Sequence, residues 1–189
     1  WKTYNWQTYL NYVRQTALGL VSLGLRRGEN IGIVTNNHPE WLFSELGGQA
    51  VGAVTVNLFT SSVPEELATA LGRFRATVVI VQDQEQVDKL LEMKDRLGHV
   101  RKVIYIDPTG MRRYADNPWL ISFSELLDRG RSLDLDEPER FSREMARGKA
   151  GDVALMIQTS GTTGIPKLAM LSHRSFTEMA RQWLETAPI

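Results

Sequence analysis

Runs rich in β-branched residues at 30–35, 53–57, 77–81 and 103–106 alternate with segments of helical period, and that alternation constrains the fold more than any other feature of the chain. A strand that returns parallel to its predecessor needs a crossover of roughly a dozen residues or more, and each gap here holds one amphipathic segment. The pattern predicts βαβ units: an α/β fold, layered αβα, with a largely parallel sheet covered on both faces. Before the first strand, Trp6, Leu10, Val13, Ala17, Leu20, Val21 and Leu25 keep helical spacing over 6–26, with Asn5 as N-cap and Gly28 as a stop. Pro39 and Pro64 stand in first helical turns, for helices to about Ala50 and Leu71, and a charged helix covers 84–97.

From Asp107 to Leu120 the composition turns to Pro, Gly, Asp, Asn and Arg, which predicts a loop. Ser122 or Ser124 can cap a short helix through Leu127, and the charge-dense stretch 131–150 reads as an exposed linker or surface helix. The core resumes at Val153–Ile157 and continues after a polar loop as Leu168–Leu171, and Ser172 caps a final helix to about Glu185. Trp6, Trp41 and Trp183 lie on apolar helix faces and are expected in the core, whereas Trp119 falls in the loop with no assigned place. His38 beside Pro39 reads as turn chemistry, and His173, with no nucleophile and acid partner in view, as a helix-start or packing residue.

Hydrophobic residues make up 42% of the 189, enough for a sizeable core. The 22 basic and 22 acidic side chains cancel, so no overall field draws the chain to nucleic acid or an anionic membrane, and any polyanion site must be local. There is no cysteine, which excludes disulfides and Cys-ligated metal. No apolar run reaches the roughly 18 residues of a membrane-spanning helix, and the expectation is a cytoplasmic protein with peripheral membrane contact left open. A first residue other than Met and a last helix without closing structure suggest a piece of a longer protein.

The segment Gln158–Lys167 concentrates hydroxyls, glycines and one lysine, and that chemistry suits a phosphate. Thr and Ser hydroxyls donate to phosphoryl oxygens, Gly161 and Gly164 let backbone N–H groups come close, and Lys167 adds a compact positive charge. A Walker A loop requires Gly-Lys-Ser/Thr at its end, but Pro166 occupies the position of the second glycine. Lys167 also leads into Leu168–Leu171, which reads as a strand rather than the helix whose N-terminus would hold phosphate, so the loop is expected to join two strands. No Gly-x-Gly-x-x-Gly follows a strand, and Gly47, Gly48 and Gly52 sit at a helix end, where close packing or a C-cap accounts for them.

Met156–Lys167 resembles the phosphate-loop signature of the adenylate-forming superfamily, which includes acyl-CoA synthetases, luciferases and nonribosomal adenylation domains. The likeness covers Thr159 to Gly164 with Pro166 and Lys167, and Met170-Leu171-Ser172-His173 resembles the segment that usually follows. It extends to Tyr4-Asn5-Trp6, Arg27-Gly28-Glu29, Asn37-His38-Pro39-Glu40-Trp41 and Gly52-Ala53-Val54. Residues 84–90 and 107–119 look most like long-chain fatty acyl-CoA synthetases. One departure is Leu168, where many relatives carry Gly, a change that restricts the loop's exit and leaves every candidate phosphate ligand in place.

The resemblance implies that 1–189 is an incomplete N-terminal AMP-binding domain, with 131–150 preceding the phosphate-loop segment 151–189. It implies two steps with fatty acid, Mg-ATP and coenzyme A: the carboxylate attacks the α-phosphate to give acyl-AMP and pyrophosphate, and the thiol of coenzyme A then displaces AMP. The expected phosphate ligands are Thr159, Ser160, Thr162 and Thr163, with Gly161 and Gly164 permitting the loop geometry and Lys167 either the catalytic cation on the leaving pyrophosphate or an anchor of the loop. Relatives also use a Thr-Glu segment for magnesium, a ribose-binding Asp and a lysine on a mobile C-terminal domain. None is found in these 189 residues, so the piece alone is not expected to catalyse adenylation. Two alternatives stand beside this reading: an adenylating ligase for an aryl or amino acid, and a noncatalytic nucleotide-binding module. Chain-length preference and oligomeric state are not legible.

Overall fold

A computed structural model describes residues 2–159 and 167–187. The elements follow the order α1 (Trp6–Ser22), β1 (Asn30–Val34), α2 (Pro39–Ala50), β2 (Val54–Leu58), α3 (Pro64–Phe74), β3 (Ala76–Val81), α4 (Gln84–Glu92), β4 (Lys102–Tyr105), β5 (Leu120–Ser122), α5 (Phe123–Asp136), α6 (Arg140–Ala146), β6 (Val153–Thr159), β7 (Lys167–Ser172) and α7 (His173–Thr186). The helix starts follow local chemistry. Asn5 accepts the Thr8 amide at 2.7 Å, Asp83 the Gln86 amide at 3.2 Å, Ser122 the Glu125 amide at 3.0 Å and Ser172 the Ser175 amide at 3.3 Å, each filling an otherwise orphaned donor. Pro39 and Pro64 occupy the first turns of α2 and α3.

The strands form one sheet in the order β5-β4-β3-β1-β2-β6-β7, parallel throughout except for the antiparallel β6–β7 pair. Alternation along each strand divides two cores. Ile31, Ile33, Val78, Ile80, Ile104 and Ile121 point to α1, α2, α5 and α6. Val34, Val56, Val79, Val81, Val103 and Leu120 point to α3 and α4. Both faces of the central strands are therefore dry, which is why their sequences read as continuous apolar runs.

Several local expectations change in the tertiary structure. The 107–120 stretch contains a short 3-10 turn at Met111–Tyr114, and its end joins β5, which pairs with β4. Trp119, unplaced by pattern, is buried there, its indole N–H donating to the Val100 carbonyl at 2.8 Å. Helix α5 runs nine residues past the expected Leu127, to Asp136, because it packs along α1. A Cβ at Gly130 would strike the Gln15 carbonyl and one at Gly19 the Leu126 carbonyl, so the two backbones meet only where both residues are glycine. Arg14 closes the far end, 2.6 Å from Asp134 and 2.8 Å from the Pro138 carbonyl. Within 131–150 most residues are exposed, yet Phe141 and Glu144 of α6 are buried, Glu144 among Arg27, Arg140 and Arg147.

Two tryptophans expected inside are outside. Trp6 is 85% exposed, because the buried stripe of α1 begins only at Val13, and Trp183 is 70% exposed, because no residue of α7 is buried among the described ones. Trp41 is partly buried on α2. No described helix is long and apolar enough to cross a membrane.

Candidate functional site

The carboxyl ends of β1, β2 and β6 lie on one edge of the sheet, since β1–β2 and β2–β6 are both parallel. Ligands of open α/β sheets bind outside this edge. β6 leaves it at Thr159 and β7 returns antiparallel, with Thr159 and Lys167 as register partners, so the polar segment is slung between two strands as its sequence suggested. Leu168 pairs with Gln158 in the ladder and packs against the core shared with α3 and α4.

Beside the hairpin an open cleft of about 760 Å³ is lined by Thr35, Asn36 and Asn37 after β1, Trp41 of α2, Asn57 to Ser61 at the end of β2, and Ile157 and Gln158 of β6. A second hollow of about 450 Å³ lies toward α3, and the two share Leu58, Phe59 and Gln158. The ends of β2 and β6 thus separate two cavities at the point where the loop departs. Hydrogen bonds hold the rim. The Asn36 amide donates to Gln82 Oε1 at 2.9 Å, Thr60 Oγ1 reaches Asn36 Oδ1 at 3.2 Å, and Lys89 Nζ donates to the Thr60 carbonyl at 2.7 Å while pairing with Glu85 at 2.9 Å. Further along the edge, the Asp107 carboxyl lies below its usual range because Thr109 donates to it, with His38 adding a smaller charge effect.

Beneath the cleft sits a polar cluster that pattern reading missed. Glu45 is 7% exposed, and its carboxylate meets Gln49 Nε2 at 2.7 Å, Thr55 Oγ1 at 3.0 Å and Asn57 Nδ2 at 3.0 Å. Burial raises its pKa, and the three donors oppose that shift. Asn57 in turn accepts the Trp41 indole N–H at 2.9 Å. The available signal was an acid within α2 one helical turn after Trp41, opposite a strand whose Thr55 and Asn57 interrupt an apolar run.

Of the expected site residues, Thr159 ends β6 and Lys167 begins β7 at the cleft edge. Ser160, Gly161, Thr162, Thr163 and Gly164 lie outside the described residues. His173 starts α7, its amide donating to the Asp152 carbonyl at 3.1 Å, and His38 occupies the N-cap position of α2 without capping it through its side chain. The donor set of Thr159–Lys167 fits nucleotide phosphates. No three described His, Asp or Glu residues converge to hold a metal.

Comparison with known proteins gives a consistent picture. The model of the family described as AMP-binding enzyme matches residues 1–188. The long-chain-fatty-acid–CoA ligase heimdall of Drosophila melanogaster is 35% identical over 92% of this chain and 25% of its own length. A long-chain-fatty-acid–CoA ligase of Bos taurus is 31% identical over 96% of this chain and 24% of its own length. The chain therefore spans about a quarter of the curated relatives it matches. Among solved structures, the anthranilate CoA ligase AuaEII in complex with anthranoyl-AMP superposes with a TM-score of 0.78 and 26% identity, covering 94% of this chain and 31% of that one. A Mycobacterium tuberculosis fatty acyl CoA synthetase gives a TM-score of 0.74 at 22% identity, over 98% and 32% of the two chains, which shows the shared fold.

Proposed function

The chain belongs to the AMP-binding enzyme family, and from that premise we propose that it carries the nucleotide-phosphate loop of an ATP-dependent long-chain fatty acid–CoA ligase. The observation that carries this reading is the Thr159–Lys167 sequence slung from the carboxyl edge of a parallel sheet, beside an open cleft. The 35% identity to a long-chain-fatty-acid–CoA ligase supports the substrate class.

On this reading a fatty acid carboxylate oxygen attacks the α-phosphorus of ATP, the bond to the bridging oxygen breaks, and pyrophosphate leaves. Phosphoryl transfer asks the protein mainly for position and charge. The hydroxyls of Thr159, Ser160, Thr162 and Thr163 donate to β- and γ-phosphate oxygens, Gly161 and Gly164 admit backbone N–H groups, and the Lys167 ammonium balances charge on the leaving pyrophosphate. Coenzyme A then attacks the acyl carbon through its thiol and releases AMP.

The test is fatty-acid-dependent ATP–pyrophosphate exchange by the full-length protein that carries this chain. Lys167→Ala and Thr163→Ala are expected to slow exchange by about 10²-fold or more, the loss typical of one removed charge-stabilising group. Unchanged exchange in both variants refutes the loop assignment. A second reading, activation of an aryl acid, draws on the fold likeness to the anthranilate ligase, and a panel of fatty and aryl acids separates the two.

A further inference from the structure

The loop-bearing hairpin is held to the parallel sheet by little ladder. β6 pairs with β2 at only Thr55↔Leu155 and Val56↔Met156, whereas β1 and β2 pair over five positions. The polar cluster stands at this narrow junction. Thr55 is fully buried, and its single hydroxyl lies 3.0 Å from Glu45 Oε1 and 3.3 Å from the Ala154 carbonyl of β6. The other carboxylate oxygen of Glu45 receives Asn57 Nδ2. The Trp41 indole is a donor only and an ionised carboxylate an acceptor only, so the Asn57 amide between them has one orientation that satisfies both. Hydrogen bonds thus run from Trp41 on the cleft wall through Asn57 to Glu45, and the one hydrogen of the Thr55 hydroxyl has two acceptors within reach, Glu45 on α2 and Ala154 on β6.

We propose that Glu45 is a positioning residue for the cleft beside Thr159 and Lys167: through Asn57 it sets the Trp41 ring on the cleft wall, and as acceptor of the Thr55 hydroxyl it ties the end of β2 to α2. The functional part of this inference rests on the loop's assignment to nucleotide phosphate. A buried acid kept only for packing is poorly suited to this place, because an apolar residue of similar volume would fill the space without desolvating a carboxylate. What the acid adds is an acceptor at the meeting point of three donors from α2 and β2.

Three variants in the full-length protein, each titrated with Mg-ATP, test the brace. Glu45→Leu takes the acceptor from the Gln49 and Asn57 amides, while Thr55 can turn to Ala154, and should weaken Mg-ATP binding by about fivefold to tenfold, the scale of one or two lost buried hydrogen bonds. The same variant should move the Trp41 indole ¹⁵N–¹H resonance. Glu45→Gln should restore both readouts to near wild type, since its carbonyl can keep Asn57 while Gln49 turns its amide and the Thr55 hydroxyl turns to Ala154. Thr55→Val removes a single hydroxyl, keeps the volume, and should weaken binding about twofold to threefold with the Trp41 resonance unmoved. Should Glu45→Leu fail to fold, the contrast between Thr55→Val and Glu45→Gln carries the test. The inference is overturned if Glu45→Leu or Thr55→Val lowers the melting temperature while Mg-ATP affinity stays at the wild-type value. Wild-type protein that binds Mg-ATP without fatty-acid-dependent exchange would sink the ligase reading and leave the brace standing. Wild-type protein that binds no Mg-ATP would remove both.

Discussion

Strands β1 to β5 and the β6–β7 hairpin belong to one sheet but differ in what covers them. The first group is dry on both faces, with α1, α2, α5 and α6 on one side and α3 and α4 on the other. In the hairpin and the following α7, Ile157, Met170, Met179, Trp183 and Leu184 are exposed. Both regions carry strong apolar patterning. A pattern states which face of an element seeks a partner, and the tertiary structure decides whether that partner is met.

Substitutions should reproduce the contrast. Phe43 is buried on α2, stacked on Tyr12 at 4.7 Å between ring centroids and edge-on to Tyr4 and Tyr9. Phe43→Ala is expected to cost about 3–5 kcal/mol in denaturant unfolding. A loss under 1 kcal/mol would mean the covered face is looser than drawn. Gly130→Ala, which drives a methyl into the Gln15 carbonyl, should cost about 1–3 kcal/mol, and a neutral result would show that α1 and α5 separate freely.

Acid titration gives a smaller effect on the covered side. Arg101 donates to both oxygens of Glu29, at 2.8 and 2.7 Å, and holds its pKa at about 2, down from 4.5. The folded state therefore binds this proton less readily than the unfolded chain. Its contribution is present above pH 4.5 and is lost as pH falls toward 2. Solvent screening limits it to on the order of 1 kcal/mol. Arg101→Met should flatten the melting temperature against pH in that window. Glu45 acts in the opposite sense: its raised pKa favours the fold below the ordinary carboxylate range and loses that contribution as pH rises through the folded value. Smallest of all, Trp183→Ala should change the stability of this chain by no more than about 0.5 kcal/mol. A loss comparable to that of Phe43→Ala would show that α7 is covered after all.

Legibility followed the same division. The strands at 30–35, 53–57, 77–81 and 103–106 and their crossover helices were readable because burial on both faces demands apolar, β-branched runs at regular spacing. The hairpin around the loop was readable from Leu168–Leu171, and the family from the loop itself. β5 was not, since its three residues carry no period and pair only because β4 lies beside them. The length of α5 was hidden because Gly130 and Asp134 make sense only against Gly19 and Arg14 of a helix more than a hundred residues earlier. Trp6 and Trp183 misled because helical spacing defines a face without saying what it meets. Glu45 and Asn57 escaped notice because a polar residue in an apolar element is informative only once its partners are known.

By itself the sequence determined the α/β class, the parallel crossovers, the division of each strand into two faces, and the concentration of hydroxyls, glycines and one lysine in Gln158–Lys167. These are local properties, written in spacing and residue type. Only the tertiary structure decided the order β5-β4-β3-β1-β2-β6-β7, the cleft beside the loop, and the brace of Glu45, Thr55 and Asn57 beneath it. Each depends on residues far apart in the chain coming within hydrogen-bond or van der Waals distance, and no local period records which distant partner a strand or a buried carboxylate will find.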